Sequence, residues 1–154
     1  MRALALALCL ALLTLATPVA AADPLVGLWR LQKQEVNGQE TSVDKLVLQI
    51  SEAGDKLTFA FSVPLPDVYF VTATYTARLD GTSADIINGN DQKMGTIEIK
   101  RGGTGRYTLT MKGPNRPDSQ GSLTLSADGK TLVSESTSAQ GGRTLTAKQT
   151  FARD

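Results

Sequence analysis

The amino-acid sequence predicts an all-β chain, an antiparallel up-and-down β-barrel of about 8–10 short strands. Three observations predict it. Apolar and polar residues alternate at period two almost everywhere, and beyond the first two dozen residues no stretch sustains apolar spacing at helical period. Turn pairs recur at short intervals, as Asn37-Gly38, Gly54-Asp55, Asp80-Gly81, Asn88-Gly89, Gly102-Gly103, Asp128-Gly129 and Gly141-Gly142, the residue types that reach positive φ cheaply in tight hairpins. No interior linker separates these units, so they form one domain, and closure into a barrel removes the sheet edges that would otherwise invite aggregation.

The first 22 residues differ from the rest. Arg2 is a short positive n-region, residues 3–16 are almost entirely Ala and Leu, and Ala20-Ala21-Ala22 is a small-residue cleavage pattern. This reads as a secretory signal peptide cleaved near Ala22, too short and too soon ended by Pro18 to span a membrane of ~20 apolar residues. Leu8 before Cys9 is too large for a lipoprotein processing site. The expectation is therefore an exported protein, periplasmic or secreted, with its barrel in residues 23–154 and no stable membrane insertion once the leader is gone.

Each strand is carried by its own alternation. Residues 25–36 align Gly27, Trp29, Leu31, Lys33 and Glu35 on one face, and a turn at Asn37-Gly38 follows. Residues 45–51 place Leu46, Leu48 and Ile50 together. Leu57, Phe59, Phe61 and Val63 alternate with Lys56, Thr58, Ala60 and Ser62 until Pro64 and Pro66 stop the strand. A long strand over 68–79 aligns Tyr69, Val71, Ala73, Tyr75, Ala77 and Leu79. A weak strand near 84–87 precedes Gly95-Ile97-Ile99 and then Tyr107-Leu109-Met111. After a looser connection over 113–117, Leu123 and Leu125 lead into Asp128-Gly129, with Leu132, Ser134 and Ser136 beyond it. The last strand, 143–153, aligns Leu145, Ala147, Gln149 and Phe151.

Composition excludes several functions. The chain has no histidine, and its one cysteine, Cys9, leaves with the leader. Ser-His-Asp triads, cysteine nucleophiles, histidine acid–base catalysis and ordinary zinc sites are thereby removed, and the domain must hold itself without disulfides. Loss of Arg2 leaves 15 basic residues against 15 acidic ones, which gives no electrostatic case for nucleic acid. Asp44, Asp55, Asp80, Asp91 and Asp128 are scattered over turns without the spacing of a calcium loop. Asp85 and Glu98 are not placed together by anything in the sequence, so no carboxylate pair is expected to do chemistry. Arg101, Arg106, Lys112 and Arg116 read as solvated hairpin faces, with no interleaved aromatics. No catalytic residue, metal or cofactor is expected.

Gly27-Leu28-Trp29 resembles the opening motif of the lipocalin and fatty-acid-binding-protein group of calycin barrels. Residues 25–36 (LVGLWRLQKQEV) with Asn37-Gly38 are similar to the openings of small bacterial exported lipocalin-like domains, and residues 74–81 (TYTARLDG) and 126–132 (SADGKTL) resemble recurring segments of the same proteins. The resemblance implies that Gly27 permits close packing at the closed end, that Trp29 plugs the floor, and that Arg153 lies over Trp29. It also implies differences. The gap between 36 and 45 is too short for the helical pair of the intracellular members, and Gln149-Thr150-Phe151 stands where fatty-acid binders carry Arg-x-Tyr.

A barrel of this kind holds ligands inside. Lys33, sharing a face with Trp29, is a candidate for an anionic head group or else a rim residue whose stem packs while its charge reaches water. Phe59, Phe61, Tyr69, Tyr75, Tyr107, Ser134, Ser136 and Gln149 fall on inward faces, where sparse polar groups in an apolar lining orient a small molecule or else complete a packed core. The expected function is non-covalent binding of a small hydrophobic or amphipathic ligand. The alternative is a protein-binding or inhibitor module of the cell envelope with a filled barrel.

Overall fold

A computed structural model describes residues 22–42, 45–114 and 116–154, and of Arg116 only the backbone. The leader expected over 1–22 lies outside the described residues except for Ala22, as do Asp44 and Asn115.

Among the described residues the chain forms strands and turns only. The strands are β1 (Gly27–Val36), β2 (Gln39–Thr41), β3 (Val47–Ala53), β4 (Lys56–Pro64), β5 (Tyr69–Ala77), β6 (Asp80–Asn88), β7 (Lys93–Gly103), β8 (Arg106–Gly113), β9 (Arg116–Leu125), β10 (Thr131–Gln140) and β11 (Arg143–Arg153). β1 and β3 to β11 make a ten-stranded antiparallel barrel in sequence order, closed by β11 on β1; the three-residue β2 hangs on the end of β1. β5 and β6 share only two paired positions, Ala73 with Asn88 and Thr74 with Ile87. Two expected turns lie elsewhere. Asp80-Gly81 begins β6, and Gly102-Gly103 ends β7, so the hairpin turns on Thr104-Gly105 instead.

The turns follow from residue chemistry. Asn37 and Gly38 both have positive φ, 51° and 76°, the pair a two-residue hairpin requires. Asn37 also accepts the Thr146 amide through Oδ1 at 3.0 Å, pinning that turn to β11. At Gly121 the requirement is space: a Cβ there would lie 2.2 Å from the Glu135 carbonyl oxygen.

The core fills the closed end. Leu25, Trp29, Phe59, Ile99, Leu132 and Phe151 are each no more than 1% exposed, and burial of such side chains stabilises by roughly 1.5–3 kcal/mol apiece. Toward the other end the turns between β4 and β5, β6 and β7, β8 and β9, and β10 and β11 surround a mouth.

Two bulges decide which residues face inward. On β1, Leu31 pairs with Phe151 but Lys33 already pairs with Thr150, so Gln32 is an extra residue. On β5, Phe61 pairs with Ala73 but Ser62 pairs with Val71, so Thr72 is extra. Its hydroxyl donates to the Phe61 carbonyl at 3.1 Å. Side chains alternate strictly along a regular strand, so each inserted residue switches the faces of everything beyond it.

Candidate functional site

The closed end is tied by Trp29 and Arg153. Trp29 is fully buried, and its indole N–H donates to the Leu25 carbonyl at 2.9 Å. The Arg153 guanidinium lies 4.3 Å from the Trp29 ring centroid. It donates to the carbonyls of Gly129 and Val26, both at 2.7 Å, and of Pro24. A Cβ at Gly27 would come 2.9 Å from Arg153 Nη1, so a glycine leaves room for that guanidinium. Its donors are thus spent on backbone and its face on Trp29.

Above this floor the interior opens into a cavity of about 290 Å³. Apolar side chains make most of its wall, among them Leu48, Phe61, Ile86, Ile97 and Leu109. Thr72, Tyr75, Ser134, Ser136 and Gln149 supply the polar groups. Tyr75 is held in place by Phe59, whose ring stacks on it at 4.8 Å between centroids, and by Phe61 at 6.0 Å. Burial pushes the Tyr75 phenol well above its ordinary pKa, so at neutral pH it is an uncharged hydroxyl. Gln149 donates through Nε2 to Gln34 Oε1 at 2.9 Å, and Gln34 Nε2 donates to Thr41 at 3.2 Å. That relay fixes the orientation of the Gln149 amide.

Phe61, Tyr75 and Gln149 therefore line the cavity, as do Ser134 and Ser136. Phe59 sits beneath Tyr75, fully buried. Three candidates lie elsewhere. Tyr107 is buried near the closed end, where Arg101 stands 5.6 Å from its ring centroid and is itself ion-paired with Asp23. Burial, with Asp23 adding to it, raises the Tyr107 phenol pKa while Arg101 opposes. Lys33 does not share the Trp29 face. Beyond the Gln32 bulge it points outward with Thr150 and forms ion pairs to Glu35 at 3.3 Å and Glu40 at 3.4 Å. Tyr69, beyond the Thr72 bulge, is 52% exposed on the outer face, where it lies near Arg30. Arg30 in turn forms a paired contact with Asp154 at 2.9 and 2.8 Å, which holds the Asp154 carboxyl below its usual range.

The same bulges bring in what alternation hides. Gln34 enters the inner face opposite Gln149, and Thr72 joins the cavity wall. The only sequence signal for this was the cost of burying Lys33 without a partner, since glutamine is the cheaper neighbour for an apolar interior.

Outside the cavity several charged groups are occupied with surface structure. Asp85 is ion-paired with Lys93 at 2.6 Å and Asp55 with Arg78 at 2.7 Å. Asp80 and Asp128 accept turn hydrogen bonds, which lower both carboxyl pKa values. Arg101 and Arg106 lie at the closed end and Lys112 toward the mouth, so they form no common patch. Among the described residues no group of three or more acidic, histidine or cysteine side chains could hold a metal ion. Leu65, Val68 and Phe70 are half exposed or more at the β4–β5 end of the mouth.

No protein-family model matches this chain, and no curated protein matches it. Solved structures match it in shape. Zebrafish ileal bile acid-binding protein, crystallised with cholic acid, aligns at a TM-score of 0.60 and 21% identity over 86% of this chain and 100% of that one. A deswapped triple mutant of bovine odorant-binding protein aligns at a TM-score of 0.40 and 16% identity, over 86% and 75% of the two chains. The fold is thus shared with the bile acid-binding protein, a closed antiparallel β-barrel.

Proposed function

We propose that this calycin-type barrel is an exported binding protein that holds a small apolar or amphipathic ligand, without covalent chemistry, in the upper half of its interior. The cavity carries the reading. About 290 Å³ of mostly apolar space with a few fixed polar groups lies near the lower limit of ligand sites, roughly 300–1,000 Å³. That a barrel of similar shape was crystallised with cholic acid supports it. Export rests on the leader-like composition of residues 1–22, which directs the protein to a periplasm or the exterior. Intact mass of the protein recovered from its host tests that part, the expected chain beginning at Asp23.

The binding test uses N-phenyl-1-naphthylamine, an uncharged probe that fluoresces in apolar surroundings. Saturable uptake at one probe per chain is expected. Ala73→Phe, which pushes a ring into the cavity, should abolish uptake while leaving the far-ultraviolet circular dichroism intact. A natural protein that takes up none would refute the reading. The second reading, a protein-binding module, is favoured by one feature, the exposed Leu65, Val68 and Phe70 beside the mouth. Native mass spectrometry separates the two, a small co-purifying mass supporting the first and a stoichiometric protein partner the second.

A further inference from the structure

The polar groups of the cavity share a property that the sequence pattern did not show. Among the described residues, no Lys, Arg, Asp or Glu lines it. The cations that strand order brings close are engaged elsewhere. Arg153 is consumed by three carbonyls and the Trp29 face, Lys33 by Glu35 and Glu40 on the outer wall, and Arg30 by Asp154.

Three of the polar groups are also gathered on one side, while Thr72 and Tyr75 stand across the barrel on β5, where the Thr72 hydroxyl is already engaged by the Phe61 carbonyl. Ser134 pairs with Gln149 across β10 and β11, Gln149 pairs with Gln34 across β11 and β1, and Ser136 follows two residues along β10. Five strands round the barrel, β6 presents Ile86, flanked by Ile97 of β7. Gln149 Nε2 is committed to Gln34, which leaves its carbonyl oxygen as an acceptor, and the Ser134 and Ser136 hydroxyls bond no described side chain. Such a strip can both donate and accept, and it carries no charge.

We propose, on the reading of the barrel as a ligand-binding protein, that its ligand is an uncharged amphiphile. A hydroxyl, ester or amide end meets the strip of Gln149, Ser134 and Ser136, and the apolar remainder lies against Phe61, Ile86 and Ile97. An ionised carboxylate brought to the same place would be desolvated without a counter-charge, which costs several kcal/mol. A neutral hydrogen-bonding group meets partners for both its donor and its acceptor.

The test displaces N-phenyl-1-naphthylamine from the purified protein with three molecules of one chain length: 1-decanol, monodecanoyl glycerol and decanoate at about pH 8, where the carboxyl is ionised. Both neutral molecules should displace the probe at concentrations at least about tenfold below decanoate. The double variant Gln149→Leu, Ser134→Ala should weaken 1-decanol by about tenfold, the loss of one or two hydrogen bonds, after each displacement midpoint is corrected with the probe affinity measured directly on that variant. Decanoate binding as tightly as 1-decanol, or a double variant that binds 1-decanol as well as the natural protein, would overturn the proposal while probe uptake leaves the binding reading intact. A natural protein that takes up neither probe nor amphiphile would overturn both.

Discussion

Trp29→Ala removes the largest fully buried side chain at the closed end. Deleting a buried aromatic costs about 3–5 kcal/mol through lost transfer energy and the cavity left behind. Two further contributions are specific to this site. The Leu25 carbonyl loses the indole donor at 2.9 Å, worth about 1–3 kcal/mol if nothing replaces it. Arg153 loses the ring face it covers at 4.3 Å, worth about 0.5–2 kcal/mol. These are not additive, because Arg153 lies near the surface and can settle toward the gap. We expect a total of about 4–6 kcal/mol, against a stability of roughly 5–15 kcal/mol for a domain of ordinary size. Urea unfolding followed by far-ultraviolet circular dichroism measures the loss, since the variant no longer has the chain's only tryptophan. Trp29→Phe keeps most of the packing, loses the donor, and should cost about 1–3 kcal/mol. Its uptake of N-phenyl-1-naphthylamine should be unchanged, because Trp29 does not line the cavity. A loss below about 1 kcal/mol for Trp29→Ala would mean that the floor is held by something else.

Lys33→Ala should leave the affinity for any interior ligand unchanged in the same displacement assay, because its ammonium pairs with Glu35 and Glu40 on the outer wall; a change would put Lys33 back inside. Burial raises the Tyr75 phenol pKa above the ordinary 10.0. Its contribution to stability is therefore whole below about pH 10, and above it the unfolded chain releases a proton that the folded chain keeps, so stability falls as pH rises. Urea midpoints between about pH 8 and 11 should show that fall, and Tyr75→Phe should flatten part of it. Gly121→Ala would set a Cβ 2.2 Å from the Glu135 carbonyl, and the rigid ladder should make it cost about 1–3 kcal/mol or more in the same unfolding experiment.

Alternation reports which residues share a face for as long as a strand is regular. Phe59 and Phe61 lie on β4, Ser134 and Ser136 on β10, and Gln149 and Phe151 on β11; each of these runs is unbroken, and the spacing alone places its members together. Lys33 and Tyr69 lie beyond an inserted residue, and there the same rule gives the opposite face. Nothing in the composition of Gln32 or Thr72 marks a bulge, because the insertion is defined by the partner strand, which a single strand's pattern does not contain. Turn positions failed in a related way. Gly102-Gly103 has the residues of a hairpin turn, yet Gly102 is the extra residue where Arg101 pairs with Tyr107 and Gly103 with Arg106. Tyr107 shows a third limit. Its inward direction follows from β8, but its height in the barrel does not, and height separates the floor from the cavity.

The two bulges also bear on what the barrel can hold. In a regular β1, Gln32 would pair with Thr150 and Lys33 with Gln149, which would carry an ammonium into the wall beside Ser134. In a regular β5, Tyr69 would likewise turn inward near the mouth. Each insertion sends one of these groups to the outer face, where Lys33 finds two carboxylates and Tyr69 is half exposed. In place of the lysine the interior receives Gln34, which orients Gln149 instead of attracting an anion. An extra residue in β1 thus exchanges a charged wall for an amide one, and the chemistry of the cavity depends on the register of its strands as much as on the residues that line it.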